Sequence, residues 1–275
     1  MVYKTDYHIH TTYSDGKDSP EACVAAAVKK GMIEIGFSDH INPAGGHLKW
    51  TMDHDRLPDY TEHLLRLKNK HPEIAVRIGL ELDYLPGKEK ETIAIIETFP
   101  FDFIIGSVHY LGDESVDLGP EFYIGKDIGE IYENYFNLVC EAASTGFYDI
   151  IGHADLVRIH RFRPEEDISH LYGMLASAFE IHDVAFELNT NGRNKPLHDF
   201  YPDRKYLSLF ARHGVPVCVN SDAHYPERIG QFFDEAYELL KQAGYTGMAA
   251  FKNRERYIIP FSWPPADARE VSLHL

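Results

Sequence analysis

Cysteine is scarce in this chain, and so is positive charge. The three thiols, Cys23, Cys140 and Cys218, are odd in number, far apart and set in apolar segments. That excludes a disulfide framework and predicts reduced core thiols. No apolar run approaches the ~20 residues of a membrane span, and Met1 to Asp6 lacks the apolar core of a signal peptide. A cytoplasmic protein without membrane attachment is the expectation. Lys and Arg number 27 against 43 Asp and Glu, a formal charge of −16 at pH 7. This balance argues against nucleic acid as a bulk partner, because phosphate backbones recruit stripes of Lys and Arg. It leaves room for a small phosphorylated ligand, since bound cations reverse the field within one pocket. Linkers rich in Gly, Pro or Ser are also missing, as are low-complexity segments. Residues 1–275 therefore read as a single domain.

What the chain does have is regular alternation. Strand-like runs fall at residues 3–10, 33–37, 74–82, 101–108, 149–152, 184–188 and 215–219. Helical runs lie between and after them. The first is punctuated by Ser19 as N-cap, Pro20 at N1 and Gly31 at its end. Residues 110–125 read as a long loop, a lid or substrate loop by its length, and a short basic, aromatic tail closes the chain. Alternation of this kind means parallel strands with helical crossovers, an α/β fold. Phe103-Ile104-Ile105-Gly106 before His109 is echoed by Asp149-Ile150-Ile151-Gly152 before His153. In both, a small residue is expected to leave room beside a ligand.

Histidine is in excess, at 16 residues, and its placement is informative. His8 and His10, two apart on a strand, share one face. Taken alone, they read equally well as polar residues on the wet side of an edge strand, and His40 as a hydrogen-bonded core histidine. The positions together are harder to dismiss. His8, His10, His40, Glu81, His109, His153, Asp222 and His224 all fall at the C-terminal ends of predicted strands, where barrel active sites form. Adding Asp15 gives six imidazoles and three carboxylates. That is too many for one zinc ion, which takes about three or four protein ligands, and suits two or three ions with Glu81 as bridge. Zinc, manganese or iron would accept this N/O set. Asp39 and Asp155 read as partners orienting imidazoles, and Asp83 as a turn residue or another such partner. His47, His54, His63, His71, His170, His182, His213 and His274 fall in helices, loops or the tail, as surface or packing residues.

These motifs resemble the polymerase-and-histidinol-phosphatase (PHP) family. They are His8-Ile9-His10-Thr11, Ser14-Asp15-Gly16, Phe37-Ser38-Asp39-His40, Gly79-Leu80-Glu81, Ser107-Val108-His109, Gly152-His153-Ala154-Asp155 and Asn220-Ser221-Asp222-Ala223-His224. They run through nearly the whole chain in the family's order. The resemblance implies a distorted (β/α)7 TIM-like barrel with a trinuclear metal centre. One ion would take His8, His10, Glu81 and Asp222. A second would share Glu81 with His109 and His153, and a third would take Asp15, His40 and His224. Length, Asp15, Arg158 and the turn Asn189-Thr190-Asn191-Gly192-Arg193 are most similar to the stand-alone histidinol-phosphate phosphatases. Arg158 and Arg193 would then clamp phosphate, a role that suits the planar guanidinium.

The implied reaction is hydrolysis of a phosphate monoester, L-histidinol phosphate, to L-histidinol and phosphate in histidine biosynthesis. Three dications against Asp15, Glu81 and Asp222 leave about +3, or roughly +2 with a bridging hydroxide. A metal-bound hydroxide would attack phosphorus in line, and Asp222 would relay a proton. A metal-held oxygen, His160 or Asp155 are the candidates for protonating the leaving group. The alternatives are a PHP phosphoesterase or phosphodiesterase for another small ester, a metal-binding protein without turnover, and an exonuclease, which the net charge disfavours.

Overall fold

The computed structural model describes residues 4–46 and 48–261. Its first half runs β1 (Thr5–Asp6), α1 (Pro20–Lys29), β2 (Glu34–Phe37), β3 (His40–Ile41), α2 (Leu57–Lys70), β4 (Ala75–Asp83), α3 (Glu89–Ile96) and β5 (Phe103–Ser107). A small pair, β6 (Tyr110–Leu111) and β7 (Glu114–Ser115), precedes α4 (Ile128–Ser144) and β8 (Ile150–Ile151). Then come α5 (Ser169–Ile181), β9 (Ala185–Asn189), α6 (Leu207–Arg212), β10 (Val217–Asn220), α7 (Phe233–Ala243), β11 (Gly247–Lys252) and β12 (Glu255–Pro260).

Seven strands pair in the order β1-β2-β4-β5-β8-β9-β10, all of them parallel. The helices cover the outside. In α2 the buried residues Leu57, Tyr60, Thr61, Leu64 and Leu67 recur at the three-to-four-residue spacing of one helix face. Burying each large apolar side chain of that stripe contributes about 1.5–3 kcal/mol. The Ser19 hydroxyl accepts from the Ala22 amide and caps α1, and Gly31 ends it at φ 70°, a left-handed conformation open to glycine. The buried apolar side chains form one contiguous cluster. No helix among the described residues is long and apolar enough to cross a membrane.

The barrel closes imperfectly, which makes it a distorted TIM-like barrel. Between β10 and β1 the only ladder is a parallel bridge at Ile9 and Ala223. It is carried by His10 N–H to Ala223 O (2.9 Å) and Ala223 N–H to His8 O (3.0 Å). Side chains replace the rest of the ladder: Asn220 Oδ1 accepts from the Tyr7 amide at 2.9 Å, and Asp6 Oδ1 from the Ser221 amide at 3.0 Å. The expected strand over 3–10 is thus regular only at Thr5–Asp6, and Tyr3 lies outside the described residues.

The C-terminal segment departs further from expectation. Rather than a tail, β11 and β12 form an antiparallel hairpin. Its buried residues Met248, Ala249, Ala250 and Phe251 close the N-terminal mouth of the barrel. Arg254, in the hairpin's turn, reaches residues just before β5 and β8. Phe251 donates its amide to Tyr7 Oη at 3.3 Å, Arg254 its amide to Asp102 O at 2.9 Å, and the Arg254 guanidinium meets Asp149 at 2.6 Å. With that end plugged, the open end is the one where the strands terminate.

Candidate metal centre

Strand register brings the expected residues together at that open end. β3 pairs with β4 so that His40 lies directly opposite Glu81, and neighbours in register point the same way. Glu81 becomes a hub. Its Oε2 faces His8 Nε2 at 2.9 Å, His40 Nδ1 at 2.9 Å and His10 Nε2 at 3.4 Å. Its Oε1 faces His153 Nε2 at 3.0 Å and His109 Nε2 at 3.7 Å, and accepts from Ser107 Oγ at 2.6 Å. Burial alone would raise the Glu81 carboxyl, yet the His40 and His8 imidazoles hold it well below the usual range. Asp222 Oδ1 lies 3.4 Å from His10 Nε2 and 3.4 Å from His224 Nδ1. Asp15 Oδ2 is 3.2 Å from His224 Nε2, and Asp15 Oδ1 is 3.8 Å from His40 Nε2.

A second layer of polar groups holds this first one. Glu187, fully buried on β9, accepts from His8 Nδ1 at 2.9 Å, from the His153 amide at 2.8 Å, and from the amide side chains of Asn189 and Asn220 at 2.7 and 2.8 Å. Sequence reasoning missed it. The available signal was its place in the strand: a lone carboxylate in an apolar strand is costly unless partnered. Asp83 accepts from His109 Nδ1 at 2.6 Å, as expected of an orienting partner. Asp39 does a different job from the one expected. It accepts from the amides and hydroxyls of Thr11 and Ser14 and so shapes the loop that carries Asp15. Asp222 sits at φ 48°, a left-handed conformation that costs a non-glycine residue about 1–3 kcal/mol. Its neighbours hold it there: the Ser221 amide and hydroxyl both bond the Asp6 carboxylate, at 3.0 and 2.5 Å.

The donor set suits divalent ions. Three groups have ligand atoms mutually close enough for one ion: His8, His10 and Glu81; His40, Glu81 and His109; and His10, Asp15, His40 and His224. Both ring nitrogens of His10 are buried without a hydrogen-bond partner. Burial and the neighbouring imidazoles of His40 and His224 push His10 down to about 3. Its ring is therefore neutral near pH 7, with a lone pair available, as metal ligation requires.

The centre opens into a cavity of about 160 Å³, the scale of a small molecule. Asp15, His40, His109, His153, Asp222 and His224 form its floor, and Trp50, Tyr110, Asp117, Lys195 and Tyr201 line its walls and rim. The Trp50 ring lies edge-on to His40 and His109, with centroids 5.0 and 5.5 Å away. Trp50, Lys195 and Tyr201 sit in loops whose sequence gives no periodic signal.

Neither expected phosphate clamp lines this cavity. Arg158 is 1% exposed. Its guanidinium donates to Asp155 Oδ2 at 2.8 Å and Phe200 O at 3.2 Å, and lies 3.3 Å from Asp203 and 3.6 Å from Asp199. Arg193 donates to His198 O at 3.3 Å, lies 3.4 Å from Glu235 and packs between the Phe200 and Phe232 rings. Two residues on, Lys195 occupies the cavity wall. Asp155 orients no imidazole; it accepts from Arg158, Tyr172 Oη and the Asp203 amide. His160 Nε2 is spent on Asp117 O at 3.1 Å. Neither residue lines the cavity. The small residues also serve another purpose than expected. A Cβ on Gly152 would collide with Ser107 Oγ, and one on Gly106 with the Tyr148 ring, so the room is for side chains and not for ligand. Of the remaining histidines, His63 and His213 pair with Glu21 and Glu180 outside the site, while His47 and His274 lie outside the described residues.

A family model described as the PHP domain matches residues 6–191. The chain is 32% identical over 250 residues to a probable histidinol-phosphatase of Deinococcus radiodurans, covering 89% of this chain and 95% of that one. It is 30% identical over 260 residues to a histidinol-phosphatase of Lactococcus lactis, covering 90% and 94%. The crystal structure of histidinol phosphate phosphatase from Lactococcus lactis, in complex with zinc, L-histidinol and phosphate, superposes with a TM-score of 0.81 at 28% identity, over 94% of this chain and 100% of that one.

Proposed function

Because the chain belongs to the PHP-domain family, we propose that it is a metal-dependent phosphatase of histidine biosynthesis, hydrolysing L-histidinol phosphate to L-histidinol and phosphate. The observation that carries this is Glu81, whose two carboxylate oxygens face five imidazoles at the floor of a small-molecule cavity. The reading assigns two or three ions, zinc, manganese or iron. His8, His10, Glu81 and Asp222 hold the first; Glu81, His109 and His153 the second; Asp15, His40 and His224 the third. When bound, such ions lower the pKa of water and neutralise phosphoryl charge.

The chain's own residues do the rest. Asp83 and Glu187 fix the rings of His109 and His8, so their lone pairs are aimed before any ligand arrives. Asp222, on the cavity floor, holds the proton lost by the attacking water. Lys195 supplies positive charge in the wall, and of the two arginines we assign phosphate contact to Arg193, which is one-third exposed. Partners are small phosphate esters and not nucleic acid. Three free thiols support a reducing, cytoplasmic location, and the domain spans 1–275.

A substrate panel on metal-reconstituted protein tests the reading. The expected kcat/KM on L-histidinol phosphate exceeds that on generic monoesters about 100-fold or more, the margin available to a site that hydrogen-bonds its substrate. Equal rates across the panel would overturn the substrate assignment, and a preference for diesters would favour a phosphodiesterase.

A further inference from the structure

One polar group in the cavity wall has no use in the scheme above. Tyr201 is 1% exposed and lines the cavity, and its hydroxyl is buried with no hydrogen-bond partner among the described residues. A buried hydroxyl without a partner costs about 1–3 kcal/mol, so its retention asks for a ligand. The side chain is firmly placed. Its backbone pairs with Asn189 at the end of β9, through Asn189 N–H to Tyr201 O (2.7 Å) and Tyr201 N–H to Asn189 O (3.1 Å). The ring packs where a Cβ on Gly192 would collide, and its centroid is 6.3 Å from that of His153. Floor and rim meet here. His153 and Asp222 belong to the metal floor, and Asp117 and Leu118 to the outer wall of the same cavity. An ester with its phosphate on the floor and its alcohol pointing outward would pass this ring, which lies beside His153. Asp155 and His160, the other side chains able to protonate the bridging oxygen, do not line the cavity.

We propose that Tyr201 is the catalytic residue that donates its hydroxyl proton to the departing alcohol oxygen. The proposal rests on the phosphomonoesterase reading. As water adds to phosphorus, the P–O bond to the alcohol breaks and its electron pair stays on the alcohol oxygen. That oxygen takes the Tyr201 proton and leaves as neutral alcohol. The proton released by the water, held at Asp222, restores the phenol, so the cycle consumes water alone.

The test is Tyr201→Phe, which keeps the ring against His153 and Gly192 and removes only the hydroxyl. kcat and KM are measured for metal-loaded wild type and variant on monoesters graded in leaving-group pKa, from p-nitrophenyl phosphate to L-histidinol phosphate. Metal content and melting temperature are measured alongside. The expected result is a loss in kcat of about 100-fold on the alkyl ester, the scale of general-acid catalysis. The loss on p-nitrophenyl phosphate, whose anion leaves unprotonated, is far smaller, so log kcat falls more steeply with leaving-group pKa in the variant. An unchanged slope, or an equal loss on every ester, overturns the assignment while leaving the phosphatase reading standing. A wild-type protein that hydrolyses no monoester in the series overturns both.

Discussion

Glu187 accepts a hydrogen bond from His8 Nδ1 at 2.9 Å, while the opposite nitrogen of the same ring lies 2.9 Å from Glu81. The ring is thus gripped on one edge and presented on the other. A carboxylate behind a ligating imidazole fixes its tautomer and raises its basicity, and removing such a partner costs about 10–100-fold in metal affinity. Glu187→Gln is expected to weaken the tightest zinc site by that factor, read by competition with a chromogenic chelator. Excess metal should restore turnover. Unaltered affinity would reduce Glu187 to a packing residue.

Arg158 and Arg193 separate by what their loss does. Arg158 is buried against Asp155, Asp203 and Asp199. Burial raises the Asp155 carboxyl and the Arg158 charge opposes that rise. Breaking a buried pair by removing one partner costs about 3–5 kcal/mol, so Arg158→Ala should lower unfolding stability by that much in urea titrations. Arg193→Ala, at a partly exposed site, should change stability by only about 0.5 kcal/mol and act on kcat/KM instead. The reverse pattern would make Arg158 the phosphate contact.

The candidate metal site was legible in the sequence because a parallel barrel gathers every strand exit onto one face, so His8, His109 and His224 could be grouped without knowing a distance. Three things were not legible. Arg158 shows its charge in the sequence, but not that Asp199 and Asp203 fold onto it from more than forty residues away. Glu187 hides inside its strand instead of at the exit. The β11–β12 hairpin turns at Asn253 and Arg254, both left-handed at φ 52° and 63°. Asparagine tolerates that conformation, whereas arginine in place of glycine removes the usual signal of a two-residue turn.

Stripping the metal should make stability fall as pH rises into the alkaline range. Burial lowers His109, but the Asp83 carboxylate prevails and pulls its pKa up to about 10, above the ~6.5 of an unfolded histidine. A raised pKa contributes stability that is fully present below pH ~6.5 and lost as pH rises through the folded value. The chelated protein should therefore melt at progressively lower temperature between about pH 6.5 and 10. The zinc-loaded protein, whose imidazoles must already be deprotonated to ligate, should not share that decline. Parallel melting curves in both states would show that His109 holds no metal.

Glu81 and Asp15 should differ in how many ions depend on them. Glu81 belongs to two of the three ligand groups, with His8 and His10 on one side and with His40 and His109 on the other, whereas Asp15 belongs only to the group with His10, His40 and His224. A carboxylate that bridges cannot be replaced by an amide, which offers one weaker oxygen to both sides. Glu81→Gln is thus expected to lower the metal-to-protein ratio by more than one ion and abolish turnover, even in excess metal. Asp15→Asn should lose at most one ion and keep measurable turnover. Elemental analysis after gel filtration gives the ratios. Equal losses in the two variants would mean that the groups bind cooperatively as a single centre, with Glu81 one ligand among several and not the residue that joins them.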